Sequence, residues 1–427
     1  MMFNKMLACF LFGVSTAVAS TPVWELSVVD DSAAVGTYPS LAFGPDGQPA
    51  IAHYEYGLGN LRFARFNGTS WTNTVVDLGA GLYASLKFGA DGQPAIAYYD
   101  QDGGDLKFAR FDGTIWTNTT VDSSGDVGES ASLAFDTNGY PAISYLARFP
   151  SNDLKFARFN GSSWIVTNLV TEVDVNSPAP LAFGPDGQPA IAYLNSAAQR
   201  IIFLRYNSSS WLISTVTVEN TGANMTLAFG PDGQPTIGLR DSASSGNRFL
   251  RFSGSQWMTN NAPTGITDYP SMALDPDGKP SFSYYNVSAE NLWIAQYDGT
   301  AWYTNAVDTN QQVGTYSSIA FDPFGQAAIA YWDSINARLM IARQPAPTNT
   351  LYDSSFRSTY YNGNASNTFN HRVEYDSSVA MTVEAWVYRD VSNEFHTIAS
   401  HNFQSSWWFG ITANSKLRFY RSGGVPN

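Results

Sequence analysis

The chain has 427 residues, a formal net charge of −13, 14% charged and 15% aromatic residues, and a single cysteine, Cys9. The acidic balance and the absence of any basic stripe disfavour nucleic acid and anionic membrane surfaces as partners. One cysteine allows no intramolecular disulfide, so packing alone must hold the fold.

Residues 1–19 read as a secretory signal peptide. Lys5 supplies the positive start, MLACFLFGV the apolar stretch, and Ala17-Val18-Ala19 the small-residue cleavage site. A secreted or cell-surface location is therefore expected. The apolar stretch is too short to span a bilayer, and no other run approaches the ~18 residues required, so no transmembrane segment is expected.

After the signal, one phrase returns seven times. It stands as LAFGPDGQPAIAHY at 41–54, LKFGADGQPAIAYY at 86–99, and LAFDTNGYPAISYL at 133–146. It recurs at 181–194, 227–240, 272–285 and 319–332. Its first aromatic, or the leucine in its place, falls at Phe43, Phe88, Phe135, Phe183, Phe229, Leu274 and Phe321, spaced by 45 to 48 residues. Periods of this size belong to propellers or helical arrays. Short runs bounded by Gly, Pro, Asn and Asp, none with helical periodicity, decide for β. In the second copy the expected strands are SLKF, PAIAYYD, LKFARF and WTNTTVD, and Asp-Gly turns close the hairpins. Apolar residues on both faces of these strands suit blades packed between blades.

Each fourth strand opens on tryptophan: Trp71, Trp116, Trp164, Trp211, Trp257 and Trp302. The seventh tryptophan is Trp24, in WELSVVD, ahead of the first phrase, while the last copy stops after its third strand at LMIAR (339–343). The expectation is an all-β chain whose residues 20–343 form a seven-bladed β-propeller closed by the N-terminal strand, with 24–29 pairing against 339–343. Closure of this kind removes exposed strand edges. The propeller text resembles the repeats of large secreted bacterial β-propeller proteins, and the resemblance implies an extracellular binding or adhesion role.

QPAPTNT (344–350) reads as a linker. The text beyond it, with TVEAWVY (382–388), TIAS and KLRFY, resembles the N-terminal half of a laminin-G-like, concanavalin A-like jelly roll. Residues 351–427 are thus expected to form a partial β-sandwich. Family members are about twice that length, and the family's glycan and calcium positions cannot be matched here residue by residue.

Catalytic constellations are scarce. The four histidines are His53, His371, His396 and His401. His53 occupies a strand position that is Tyr in other copies and is expected to pack between blades. His396 and His401 lack an evident third ligand, so neither a metal site nor any cofactor is expected. DQDGGD (100–105) has the alternating oxygens of a calcium loop around a glycine, but it occurs in one copy and reads as a polar turn. Seven Asn-x-Ser/Thr triplets, at Asn67, Asn118, Asn160, Asn207, Asn224, Asn286 and Asn364, are expected by chance in such a composition. A sialidase-like glycosidase is the enzymatic alternative, and a passive spacer the structural one. Sialidase chemistry needs convergent arginines, whereas Arg65, Arg110, Arg158, Arg205 and Arg251 repeat around the ring and are expected to be structural. No catalysis is expected.

One feature breaks the repetition. Just before the first strand, successive copies carry Tyr38, Tyr83, Ser130, Pro178, Asn224, Tyr269 and Tyr316. At the end of the second they carry Tyr54, Tyr99, Leu146, Leu194, Arg240, Tyr285 and Trp332. Both positions are aromatic in copies one, two, six and seven, which become neighbours once a ring closes. Glu55, Asp100 and Asp333 follow the second set. Both positions belong on one face of a propeller, where variable loops sit on a rigid scaffold. Aromatic faces beside carboxylates suit carbohydrate. The expected ligand is therefore a carbohydrate or an extracellular surface protein, bound by a monomer or by part of a longer chain.

Overall fold

The computed structural model describes residues 24–345 apart from 150–151, 172–177, 218–223 and 242–244, together with five strands between 357 and 421. The proposed signal and TVEAWVY lie outside the described residues. Among the described residues there is no helix, and so none long and apolar enough to cross a membrane.

Residues up to Gln344 make one compact unit. It contains seven four-stranded antiparallel sheets, a seven-bladed propeller. Six blades are continuous in sequence, spanning 35–77, 82–122, 126–170, 181–217, 226–262 and 267–308. In the second blade the order from the centre outward is Leu82–Phe88, Pro94–Asp100, Asp105–Phe111 and Trp116–Asp122. The seventh sheet combines Val313–Phe321, Ala327–Asp333 and Arg338–Arg343 with Glu25–Asp30 from the other end of the chain. Glu25 lies opposite Arg343 and Asp30 opposite Leu339, with a bulge between Val28 and Asp30. The inner strands run in a circuit in which each approaches the next, including Val313–Phe321 beside Val35–Phe43. They thereby surround a central channel.

The hydrophobic core is divided into seven clusters, one for each interface between neighbouring blades. Between blades one and two, Leu61 and Phe63 meet Leu86, Ile96 and Tyr98. Between blades seven and one, Leu339 and Ile341 meet Leu41 and Ile51. Fully burying each such side chain contributes about 1.5–3 kcal/mol. The repeated phrase therefore encodes an interface as much as a blade.

The polar residues of the phrase serve the same interfaces. Tyr98 Oη donates to Asp77 Oδ2 of the preceding blade at 2.7 Å, and Tyr145 and Tyr331 donate likewise to Asp122 and Asp308. Inner-strand serines accept backbone N–H groups from the next blade, as Ser40 does from Leu86 and Ser318 from Leu41. The repeated arginines are structural. Arg110 holds Asp91 in its own blade's turn and lies 5.3 Å from the ring centre of Phe135 in the next blade. Arg65 does the same with Asp46 and Phe88. In the turn itself Gly92 has φ +76°, a conformation that costs glycine little. The triplet asparagines are also occupied: Asn67, Asn160 and Asn207 each accept backbone N–H groups two and three residues on.

His53 takes the place of the interface tyrosine in blade one. It is fully buried, with Nε2 3.5 Å from Asp30 Oδ2. Burial, helped by Arg62 and opposed by Asp30, lowers its pKa to about 4. The unfolded chain binds more protons between the ordinary histidine value near 6.5 and 4. This contribution is thus complete above pH ~6.5 and is lost as pH falls toward 4, on the order of 3 kcal/mol over the whole window. Urea midpoints measured from pH 8 to pH 4 should show this loss, and His53→Tyr should flatten it. Equal slopes in the two proteins would rule it out.

The remaining unit, from Pro345 onward, contains a two-stranded antiparallel sheet, Arg357–Tyr361 with Ser366–Asn370. It also contains a three-stranded one, His396–His401, Trp407–Ile411 and Leu417–Arg421.

Candidate functional site

The connector from one blade's outer strand into the next blade's inner strand carries Gly-x-Tyr in blades one, two and seven, and Gly-x-Ser in blade three. The glycine is required by close approach. A Cβ on Gly36, Gly81, Gly128 or Gly314 would come within 2.8 Å of Leu339, Leu61, Leu106 or Leu292, at the start of the preceding blade's third strand. Immediately after it the inner strand bulges. Pairing slips between Thr37 and Ser40, Leu82 and Ser85, Asp268 and Ser271, and Thr315 and Ser318. Tyr38, Tyr83, Tyr269 and Tyr316 sit in these bulges at φ +50°, +54°, +49° and +53°. A bulky residue in this region is strained by ~1–3 kcal/mol, and bulges commonly re-aim a side chain at a functional site. Blade four carries Pro178, which cannot adopt a positive φ, and its inner strand is only Leu181–Phe183.

The four rings form one continuous arc across blades two, one, seven and six. Their centres are 5.3 Å apart for Tyr83 and Tyr38, 4.4 Å for Tyr38 and Tyr316, and 4.5 Å for Tyr316 and Tyr269. Trp332 extends it, 6.2 Å from Tyr316 and 5.9 Å from Tyr56 of blade one. The four tyrosines and Trp332 are half-buried, while Tyr56 is 43% exposed. Burial and the hydrogen bond with Tyr316 push the Tyr38 hydroxyl up to about 12. Burial raises Tyr83, with Glu129 adding to it, and also raises Tyr316. All three remain neutral hydroxyls at physiological pH. Beneath the arc the cross-strand pair Thr315 and Trp332 leaves Thr315 Oγ1 and Trp332 Nε1 buried without a hydrogen-bond partner. Such orphans are uncommon in native interiors.

The other expected residues fall in different places. Tyr54 and Tyr99 are buried, each 8% exposed. Tyr54 Oη accepts from Gln101 of the next blade, and Tyr99 Oη donates to Asp126 Oδ1 at 2.7 Å, so both tie blades together behind the arc. Tyr285 is half-buried, its hydroxyl raised by burial and by Glu290. The carboxylates are engaged in hairpin turns. Glu55 accepts from Asn60 at 2.9 Å and Arg62 at 3.3 Å. Asp100 pairs with Lys107 at 2.7 Å and accepts the N–H groups of Asp102 and Gly103. Asp333 accepts from Asn336 at 2.8 Å and Arg338 at 2.9 Å, at the edge of a shallow polar pocket of about 260 Å³.

Two groups escaped the sequence reading. Tyr56 lies one residue past the positions that match between copies. Glu129, paired with Arg148 at 2.6 Å, stands where the Gly-x-Tyr pattern has Thr37 and Thr315. That replacement was the available signal.

No protein-family model matches the chain, and neither does any curated protein sequence. Solved structures do match. An ulvan lyase, a polysaccharide lyase of a new family, aligns over 70% of this chain and 92% of its own, with 13% identity and a TM-score of 0.52. The likeness is one of fold. The fucose-specific lectin of Aleuria aurantia covers 64% of this chain and 96% of its own, at 16% identity and a TM-score of 0.46. A Hadza microbial sialidase covers 69% and 73%, at 13% identity and 0.44.

Proposed function

We propose that the chain is a secreted carbohydrate-binding propeller, without catalysis, whose ligand stacks on the arc Tyr83–Tyr38–Tyr316–Tyr269 and on Trp332. The observation that carries this reading is the arc itself: four tyrosines from four blades, each held at a strained positive φ and each touching the next. The positive φ itself belongs to the repeat, since Ser130 and Asn224 hold the same position in other blades at φ +53° and +60°; what sets the four blades apart is the aromatic ring placed there. Tyrosine rings offer an apolar face to sugar C–H groups and a hydroxyl to the rim. Glu129 and Asp268, next to the bulges in sequence, are already engaged with Arg148 and with the Tyr269 N–H, which favours binding over bond cleavage. Glu55, Asp100 and Asp333 act as supports of the loops in this reading, with Tyr54 and Tyr99 behind the arc.

In the same reading, the strand Glu25–Asp30 closes the ring, and the C-terminal unit is the start of a jelly-roll module. A glycan array probed with the full chain tests the ligand class. Tyr316→Gly then tests the site, because glycine keeps the positive φ without strain. Affinity for the selected glycan should fall at least tenfold, about 1.4 kcal/mol, while the melting temperature moves by only about 3 °C. Unchanged affinity would remove the arc from the ligand's path.

A further inference from the structure

Six of the seven inner strands carry alanine at the residue before the phrase's aromatic: Ala42, Ala134, Ala182, Ala228, Ala273 and Ala320. The second blade carries Lys87 there, opposite Ala95 in the register that pairs Ala42 with Ala50 and Ala320 with Ala328. Inner strands form the edge of each sheet and surround the central channel. Lys87 is exposed, unlike the alanines, which are half-buried or buried. It lies four residues beyond Tyr83 along one strand, about 13 Å at ~3.3 Å per residue, toward the opposite mouth of the channel.

Of the four lysines among the described residues, three are paired. Lys107 meets Asp77 and Asp100, Lys155 meets Asp122, and Lys279 meets Asp277. Lys87 has no carboxylate partner among the described residues, in a chain of net charge −13. The surrounding protein desolvates the ammonium and lowers its pKa. Exposed to solvent and without a carboxylate partner among the described residues, the ammonium is open to an anion from solution.

We propose that the central channel binds a small oxyanion, a sulfate or carboxylate group, at the Lys87 ammonium. The ligand group is either a free ion or the anionic substituent of a saccharide. The site is carried by residues other than the tyrosine arc and stands or falls independently of it. Binding holds the proton on Nζ and so reverses the effect of desolvation.

The test compares the full chain with Lys87→Ala, the residue present in the other six blades, and with Lys87→Met, which keeps the apolar stem. Melting temperatures are measured in sodium sulfate and in sodium chloride at matched ionic strength, then in galactose 6-sulfate and in galactose. Sulfate stabilises proteins in general, so the reading is the difference between wild type and variant. Wild type should gain several degrees more than either variant in sulfate, in galactose 6-sulfate, or in both. A gain with the sugar sulfate alone assigns a saccharide substituent, and a gain with sulfate assigns the free ion. In parallel, reductive methylation with formaldehyde, mapped by mass spectrometry near pH 8, should be slowed at least threefold by the binding anion at Lys87 but not at Lys279. Equal shifts in wild type and both variants, with Lys87 labelling indifferent to either anion, would overturn the proposal.

Discussion

A chain beginning at Asp31 is expected to lose the cooperative unfolding of the propeller. Without Glu25–Asp30, the seventh sheet ends on Arg338–Arg343, and the backbone groups that pair Leu26 with Ala342 and Val28 with Met340 lose their partners. Val29, 4% exposed, leaves the cluster shared by blades seven and one, which opens Leu41, Ile51 and Ile341 to water. Asp30, 3% exposed, leaves Arg62, whose Nε lies 3.1 Å away. Deleting one large buried aliphatic side chain costs ~2–5 kcal/mol, against a total stability of roughly 5–15 kcal/mol. Circular dichroism melts and limited proteolysis of the truncated chain should show a broad, early transition and cleavage starting in the seventh blade. An unshifted sharp melt would refute the closing role of the strand. A synthetic peptide of residues 21–31 added in trans should restore part of the loss.

The second large effect lies between blades two and three. Asp122 is 8% exposed and accepts from Tyr145 at 2.7 Å, from Lys155 at 2.6 Å and from Ser124. Asp122→Ala leaves a buried ammonium and a buried phenol unpaired, and breaking such a pair from one side costs about 3–5 kcal/mol. Tyr145→Phe removes one neutral partner and should cost ~1 kcal/mol. The order of the two variants in urea melts is the check; equal losses would show that the ammonium holds the carboxylate no more strongly than the phenol does. Burial alone would raise the Asp122 carboxyl, but the hydrogen bonds from Lys155, Ser124 and Tyr145 outweigh it and bring it down to about 2. Its folded pKa lies below the unfolded value near 3.9, so the contribution is present above pH ~4 and lost as pH falls through 2. The whole loss amounts to about 2 kcal/mol. This window lies below that of His53, so the two titrations separate on the pH axis.

The candidate site was only partly legible. Tyr38, Tyr83, Tyr269 and Tyr316 stand out in the repeat alignment because four copies share an aromatic that three lack. The same alignment grouped Tyr54 and Tyr99 with them, since a sequence shows residue type and not the side of the strand that faces a neighbour. Glu55, Asp100 and Asp333 read as ligand groups for the same reason. Their partners Arg62, Lys107 and Arg338 lie five to seven residues downstream across a hairpin turn.

Period, turn chemistry and alternation were sufficient by themselves for the all-β class, the blade count and the structural role of the repeated arginines. Each of these is set by interactions within one repeat or between adjacent copies, so it is written out seven times and survives local variation. The ring-to-ring contacts of the arc and the surroundings of Lys87 were decided only by the tertiary structure. Tyr38 meets Tyr316 across 278 positions of chain, and Thr37 and Thr315 differ in no visible way from residues outside bulges. In blades one, two and seven the bulge and positive φ follow connector glycines packed against Leu339, Leu61 and Leu292 of the neighbouring blade, a contact that exists only in the folded ring. Lys87 is a plain substitution for alanine in the sequence. That it has no carboxylate partner among the described residues is visible only in the folded ring.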